Sequence, residues 1–310
     1  MLTILNQCLV AQSTHEVKII TGSTNNELEI LDWGGKGQAI LFLTGLTNTA
    51  HVYDEFAPRF KDQFHVYAMS RRGYGRSEQT KYGYGIDTLA NDILAVLKTL
   101  NIKKIILIGH SIAGDEITTF ATNYPDRISH AIYLDAAYDH VNLPDAFPEF
   151  PKTTTKDSSS VQHFNLYLKR IRGFTFPEDE IKSQYVVDHQ GKLIKNKTSW
   201  SIAGAIIEGI RLPNYKLMKC PALAIYGQRN TAQEWFPSFP LMDSANQQIA
   251  IKDFMPAWKK YYDEEITRFR SEIKDGRIME IPAADHYTFL THPAATEKIV
   301  RDFLASAETR

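Results

Sequence analysis

The chain has 310 residues, with 35 lysines and arginines against 36 aspartates and glutamates, so its formal net charge is −1. This balance argues against a protein whose main task is to bind nucleic acid, and an apolar fraction of 43% argues against extended disorder. Two cysteines are too few for a disulfide framework or a thiolate zinc site, and no apolar run is long enough to span a bilayer.

The first eleven residues are mildly apolar and end in the small residue Ala11, but they lack the basic leader of a secretory signal. They are interpreted either as an irregular first segment or as a truncated export signal, residues 1–11, whose start was lost. Without export, the cytoplasm is the default location. The sequence makes no prediction of the oligomeric state.

Short apolar runs alternate with helical patterns as far as Asp139, which predicts strands at 17–21, 28–33, 39–43, 64–69, 105–108 and 131–134. Between the fourth and fifth of these, apolar residues recur at three- and four-residue steps from Ile86 to Leu100, which predicts a helix. Apolar strands separated by helices indicate an α/β fold with a mainly parallel, doubly wound sheet covered on both faces.

Beyond His140 the pattern changes, because proline, serine, threonine and lysine become frequent. Helices are predicted around 161–171, 177–186 and 201–211, and no strand is expected there. The pattern then predicts strands at 222–226 and 277–281, a long helix between them and a terminal helix at 293–304. We therefore expect a core formed by residues 1–139 and 219–310, with a helical cap of residues 140–218 inserted after the sixth strand.

The most informative segment is 105–114, where an apolar strand runs into Gly-His-Ser-Ile-Ala at 109–113 and a helix begins directly. A serine on such a sharp strand-to-helix turn, here Ser111, has its hydroxyl lifted clear of the sheet. The residues two before and two after it must be small because the turn brings them into contact. Gly109 and Ala113 meet this demand, so the pattern is typical of a nucleophile elbow.

This segment has two other interpretations. Gly109 and Gly114 are also spaced like a phosphate-binding loop. However, Asp115 replaces the lysine that such a loop needs and Glu116 follows it, so two negative charges would face the phosphates. A purely structural turn is the remaining alternative to the nucleophile elbow.

With these motifs the chain resembles the α/β-hydrolase superfamily over nearly its whole length. The family's landmarks occur in order: a Leu-Thr-Gly-Leu loop at 43–46, an Arg-Gly-x-Gly-x-Ser loop at 72–77, the elbow, an aspartate at 135 and Asp-His at 285–286. The usual His-Gly after the third strand is Thr44-Gly45 here. The resemblance implies the α/β-hydrolase fold, a helical cap over the site and a serine nucleophile.

The nucleophile needs a base, because a serine hydroxyl at neutral pH is a poor nucleophile. His286 follows the eighth predicted strand near the C-terminus, where this family places its histidine. The alternative is a surface histidine that precedes a helix.

The third triad member must accept a hydrogen bond from the imidazole and stabilise its charged form. The family's commonest position for it follows the seventh strand, where this chain has Asn230, which carries no charge. Asp135, at the tip of the sixth strand, is favoured because some members keep the acid there, although it could instead cap the following turn. Asp285 is adjacent to His286 and would struggle to reach its ring.

The negative charge that develops on the substrate carbonyl oxygen needs preorganised N–H donors. The residue after the nucleophile, Ile112, supplies one backbone donor. The resemblance implies Leu46 as the other. The side chains of Thr44, Thr47 and Asn48 are further candidate donors.

The predicted function is a serine hydrolase that cleaves a carboxylic ester or related acyl bond of a small molecule. No metal or organic cofactor is implied, since serine acyl transfer needs neither. The alternative is a binding or receptor protein of the same fold with little or no turnover, which the missing acid after the seventh strand favours. Ser111 argues against epoxide hydrolases and dehalogenases, which need a carboxylate nucleophile.

Large apolar residues in the cap and after Asn230 suit an acyl chain or aromatic ester, although most are expected to pack the cap against the core. They are Phe147, Phe150, Phe164, Tyr167, Phe174, Phe176, Trp200, Trp235, Phe236, Phe239 and Met242. Lys169, Arg170 and Arg172 could bind an acidic substrate, but a solvated helix face explains them more simply.

Overall fold

A computed structural model describes residues 15–307, so the two interpretations of residues 1–11 lie outside the described residues. The strands of the described chain are β1 (Glu16–Thr21), β2 (Glu27–Gly34), β3 (Ala39–Leu43), β4 (His65–Met69), β5 (Ile105–His110), β6 (Ile128–Leu134), β7 (Tyr185–Val187), β8 (Leu193–Asn196), β9 (Ala222–Gln228) and β10 (Gly276–Pro282). Eight of them form one sheet in the order β1-β2-β4-β3-β5-β6-β9-β10. The predicted mainly parallel sheet is confirmed, since only the pairings of β2 with β1 and β4 are antiparallel.

Helices follow most strands. They are α1 (Ile86–Thr99), α2 (Ala113–Asn123), α3 (Val161–Arg172), α4 (Glu178–Gln184), α5 (Trp200–Gly209), α6 (Ala232–Trp235), α7 (Ser244–Gln248), α8 (Met255–Glu272), α9 (Thr288–Thr291) and α10 (Pro293–Ala307). A π-helical segment, Ile249–Phe254, leads into α8, and short 3-10 turns occur at Ala50–Tyr53, Ala57–Phe60, Pro125–Arg127, Asp157–Ser159, Tyr215–Leu217 and Phe239–Leu241. None of the helices within 15–307 has the length and apolar character needed to cross a membrane.

The inner strands β3, β4, β5 and β9 are buried on both faces and are mostly apolar, whereas the edge strands β1 and β10 are partly exposed. Along β3, Leu41 and Leu43 belong to the apolar cluster that includes the buried faces of α1 and α2. Ile40 and Phe42 point the other way, into a cluster with Phe303 of α10. Alternate side chains of one strand therefore anchor helices on opposite sides, as the doubly wound prediction requires.

The strand order brings the landmark loops together at the carboxyl edge of the sheet. β3 lies between β4 and β5, and the register places Leu43 opposite Gly109 and His110 opposite Leu134. The loops that leave β3, β5 and β6 therefore start side by side. In open α/β sheets this edge, where the strand order reverses, is where ligands bind.

The segment between β6 and β9 contains α3, α4 and α5, as predicted, but the expectation that it holds no strand is wrong. β7 and β8 form an antiparallel hairpin, so the helix expected over 177–186 ends at Gln184. The turn between them is closed by Asp188, whose carboxylate accepts hydrogen bonds from the backbone of Gln190 and Lys192. Strands of three and four residues are too short to show an alternating pattern.

Candidate active site

The predicted elbow has the backbone conformation that the motif demands. β5 ends at His110, α2 begins at Ala113, and Ser111 between them has a φ of +54°, a left-handed value that a non-glycine residue rarely adopts. The Ser111 carbonyl accepts a hydrogen bond of 2.9 Å from Gly114 N, and Ser111 N donates to Leu134 O at 3.4 Å. The turn is thereby tied both to its own helix and to the neighbouring strand.

The need for small residues around the elbow is also visible. A Cβ atom added to Gly109 would lie 3.0 Å from Cβ of Ala113 and 2.7 Å from Cδ1 of Ile117. A Cβ atom at Gly114 would overlap the backbone carbonyl of Ala136, which follows β6. Because Gly109 and Gly114 have no side chains, α2 can begin directly after the serine and pack closely against the end of β6.

Asp135 and His286 meet across the sheet edge, although 151 residues separate them. His286 Nδ1 lies 2.7 Å from Asp135 Oδ2, and Asp135 is fully buried. The other carboxylate oxygen, Oδ1, accepts hydrogen bonds from Tyr138 Oη at 2.7 Å and Gly227 N at 3.4 Å. Since Nδ1 donates to the carboxylate, the Nε2 atom of His286 is left to accept a proton.

The ionised form of Asp135 is favoured by its partners. Burial opposes ionisation, but the hydrogen bond and charge of His286, with the charge of Arg229, hold the pKa of Asp135 below its ordinary value. Among the described contacts, His286 Nδ1 is bonded to neither of the other two candidates for this position. Asn230 is exposed, and its backbone N–H donates to Glu234. Asp285 accepts from its own neighbour, Tyr287 N, at 3.1 Å.

The loop that carries His286 is held by the elbow. His110 is buried, and its Nε2–H donates to the backbone carbonyl of His286 at 3.1 Å. Burial lowers the pKa of His110 well below its ordinary value, so the ring is a neutral donor. Over the described residues no hydrogen bond joins the Ser111 hydroxyl to His286, whose imidazole is about one-third exposed.

The two residues expected to donate backbone N–H groups share one apolar cluster. Ile112 is buried, and Leu46 packs against the cluster that contains it. The carbonyls of Thr44 and Gly45 are turned towards the buried Arg71, whose guanidinium donates to them at 2.6 and 3.2 Å and also pairs with Glu116. Arg71 therefore fixes the direction of the peptide units that precede Leu46.

The loop that follows β3 also contacts α4, which lies in the segment between β6 and β9. Glu180 of α4 is fully buried and accepts hydrogen bonds from Asn48 Nδ2 at 2.9 Å, Thr49 N at 3.1 Å and the Thr49 hydroxyl. Asn48 in turn accepts from Tyr287 Oη at 3.0 Å, so its side chain joins Glu180 to the residue after His286. Burial raises the pKa of Glu180 to about 7, although these hydrogen bonds oppose the shift.

The sequence alone did not predict the contacts that His110, Arg71, Glu180 and Arg229 make around the site. His110 is part of the elbow motif, and Arg71 directly precedes the Arg-Gly-x-Gly-x-Ser loop at 72–77. Glu180 and Arg229 carried no local signal. Two of the three basic residues of α3 have partners within the protein: Arg170 pairs with Asp157, and the Arg172 guanidinium stacks 4.0 Å above the ring of Phe150. Lys169 is exposed.

Comparison with known proteins gives a consistent result. A sequence model of the family described as alpha/beta hydrolase fold matches residues 38–206. The 2-(acetamidomethylene)succinate hydrolase of Mesorhizobium japonicum is 25% identical over 277 residues, which cover 87% of this chain and 89% of that protein. A bifunctional esterase/perhydrolase of Acinetobacter calcoaceticus is 32% identical over 211 residues, 64% of this chain and 76% of that protein.

Solved structures share the fold. The crystal structure of E-2-(acetamidomethylene)succinate hydrolase aligns with a TM-score of 0.66 at 22% identity, covering 94% of this chain and 100% of its own. A serine hydrolase involved in carbazole degradation aligns with a TM-score of 0.65 at 15% identity, covering 94% and 99%.

Proposed function

Because this chain belongs to the alpha/beta hydrolase fold family and is a hydrolase, we propose that Ser111, His286 and Asp135 form its catalytic triad. Its substrate would be a carboxylic ester or a related acyl compound of small size. The observation that carries the proposal is the 2.7 Å contact of His286 Nδ1 with the buried carboxylate of Asp135, at the sheet edge where the elbow ends.

In the proposed reaction, the Ser111 hydroxyl oxygen attacks the acyl carbon while His286 Nε2 accepts the hydroxyl proton. The imidazolium then passes this proton to the leaving oxygen, which departs as the alcohol and leaves an acyl-enzyme. In the second half, water attacks the acyl carbon while His286 Nε2 accepts its proton, and this proton then passes to the Ser111 oxygen as the carboxylic acid leaves. Catalytic hydrogen bonds are often long in ligand-free structures, and the contact between Ser111 and His286 would tighten when substrate binds.

The negative charge on the tetrahedral oxygen would be stabilised by the backbone N–H groups of Leu46 and Ile112. The loop around Leu46 is held from both sides, by Arg71 beneath it and by Glu180 beyond it. Such preorganisation matters because donors that need not reorient during the reaction lower the barrier most.

We also propose that residues 140–218 act as a cap over this site. Two contacts support it: Thr198 donates to the carbonyl of Gly73 at 2.6 Å, and Glu180 binds the loop after β3. A small cavity of about 90 Å³ lies at this junction, between the threonines of the loop and the uncharged side chains Gln184, Tyr185 and Trp200. This lining favours a neutral substituent over a carboxylate in the part of the substrate that enters it.

A fluorophosphonate probe tests the proposal, because it is captured covalently only by an activated serine. We expect the native protein to be labelled and to hydrolyse p-nitrophenyl esters, with a rate that depends on acyl chain length. Ser111→Ala should abolish both. Ser201→Ala, which removes an exposed serine at the start of α5, is the matched control and should keep both. Absence of labelling in the native protein would contradict the triad and favour a binding protein.

A further inference from the structure

A second group of chemically reactive side chains lies outside the triad. His15 immediately precedes β1, His51 lies in the 3-10 turn after the loop that follows β3, and Asp54 ends that turn. One ligand atom from each of the three lies within 4.8 Å of the others. His51 Nδ1 is 3.0 Å from Asp54 Oδ2, and His15 Nδ1 is 3.6 Å from Asp54 Oδ1.

These separations fit a bound ion. Zinc binds imidazole nitrogen and carboxylate oxygen at about 2.0–2.2 Å in a tetrahedron, which places neighbouring ligand atoms roughly 3.3–3.5 Å apart. The two N···O separations, 3.0 Å to Asp54 Oδ2 and 3.6 Å to Asp54 Oδ1, lie on either side of that value. One ligand atom from each residue already lies within 4.8 Å of the other two, so all three side chains face a common point where an ion would bind.

His15 has unused binding capacity. Its Nδ1 atom is buried and makes no hydrogen bond with any described residue. The ring is held in place by edge contacts with Trp33 and His51, at centroid distances of 5.3 and 5.2 Å. A buried ring nitrogen without a hydrogen bond is costly, and a metal ion would satisfy it.

A neighbouring histidine–aspartate pair shows what a purely structural arrangement looks like in this protein. His65 Nε2 lies 2.9 Å from Asp32 Oδ1, and the ammonium of Lys18 lies 2.7 Å from Asp32 Oδ2. There the third member is a cation, which completes the carboxylate's hydrogen bonds and excludes a metal. In the group of His15, His51 and Asp54, the place of that cation is taken by a second imidazole, which can itself bind a metal ion.

We propose that His15, His51 and Asp54 bind one divalent transition-metal ion, with zinc as the best match and water in the fourth position. Two imidazoles and one carboxylate are a ligand set that zinc favours, with no thiolate required. The ion would join the start of β1 to the segment after the proposed oxyanion loop. It lies outside the proposed triad and takes no part in acyl transfer.

Calorimetric titration of the chelator-treated full chain with zinc chloride tests the proposal, together with melting curves. We expect one site of micromolar or tighter Kd and a melting temperature that rises by several degrees in excess zinc. His15→Ala and Asp54→Asn should each weaken zinc binding at least tenfold. His65→Ala, which removes the histidine of the structural pair, is the matched control and should leave zinc affinity unchanged.

Three results would overturn the proposal. The first is no saturable zinc binding by the native chain, and the second is native affinity in both His15→Ala and Asp54→Asn. The third is loss of zinc binding in His286→Ala, since the ion would then sit on the proposed triad. Circular dichroism of each variant without metal shows whether it has folded; should Asp54→Asn fail to fold, His15→Ala decides. Zinc binding and Ser111 labelling are measured separately, so a failure to bind zinc would not contradict the proposed triad.

Discussion

Arg229 places Nη2 3.3 Å from Asp135 Oδ2, the same carboxylate oxygen that lies 2.7 Å from His286 Nδ1. The guanidinium is almost fully buried and stacks 3.7 Å above the ring of Trp235. It lies one residue before Asn230, where the family resemblance placed the commonest acid. The end of β9 therefore contributes a cation to Asp135 rather than an acid to His286.

The first prediction concerns Asp135. Asp135→Asn keeps the size of the side chain but removes its charge, and turnover should fall by roughly four orders of magnitude because the imidazolium loses its stabilising partner. Steady-state kinetics on a p-nitrophenyl ester measure the change. Asn230→Ala removes the competing candidate and should keep near-native turnover. Normal turnover in Asp135→Asn would move the acid to another residue.

The second prediction concerns Arg229. Its positive charge offsets part of the negative charge of Asp135, so Arg229→Met should leave the carboxylate better able to stabilise a protonated imidazole. We expect the acidic limb of the pH profile of kcat/KM to move to higher pH. Arg229→Lys, which keeps a positive charge, should move it less. Superimposable profiles for Arg229→Met and the native protein would show that the guanidinium does not influence the triad.

The third prediction concerns the pH dependence of stability. Burial raises the pKa of Glu180 from 4.5 to about 7, so between these values the folded protein keeps a proton that the unfolded chain has lost. The free energy of unfolding should therefore decrease as pH rises from about 4.5 to 7 and become independent of this group above that, with a total contribution of roughly 3 kcal/mol.

Urea unfolding at several pH values from 5 to 8 measures this slope. Glu180→Gln cannot ionise and should flatten it across that window. Glu178→Gln, on the same helix but half exposed, is the control and should keep the native slope. A Glu180→Gln protein with an unchanged slope would assign the pH dependence to other groups.

The fourth prediction compares two helical glycines. A Cβ atom at Gly114 of α2 would overlap the Ala136 carbonyl, whereas one at Gly204 of α5 meets no atom within 4 Å. Gly114→Ala should destabilise the protein by about 1–3 kcal/mol or more because backbone must move. Gly204→Ala should stabilise it by up to about 1 kcal/mol through helix propensity. Urea unfolding measures both, and equal effects would contradict the close approach of α2 to the end of β6.

Much of the fold was predictable because its signals are local. All eight strands of the main sheet and the helix over Ile86–Thr99 were predicted within a few residues. The inner strands carry continuous apolar runs because both of their faces are buried, and a packed helix repeats apolar residues every three to four positions. The hairpin of β7 and β8 escaped prediction because its strands are short and partly exposed, so they carry no such signal.

By itself, the sequence determined the order of the strands along the chain, the Gly-x-Ser-x-Ala turn and the histidine loop after the last strand, because each depends on residues close together in the chain. Only the tertiary structure decided that Asp135 rather than Asn230 faces His286, and that Arg71, Glu180 and Arg229 surround the site. These contacts join residues 26 to 151 positions apart. Their geometry follows from strand register and helix packing, which no local pattern encodes.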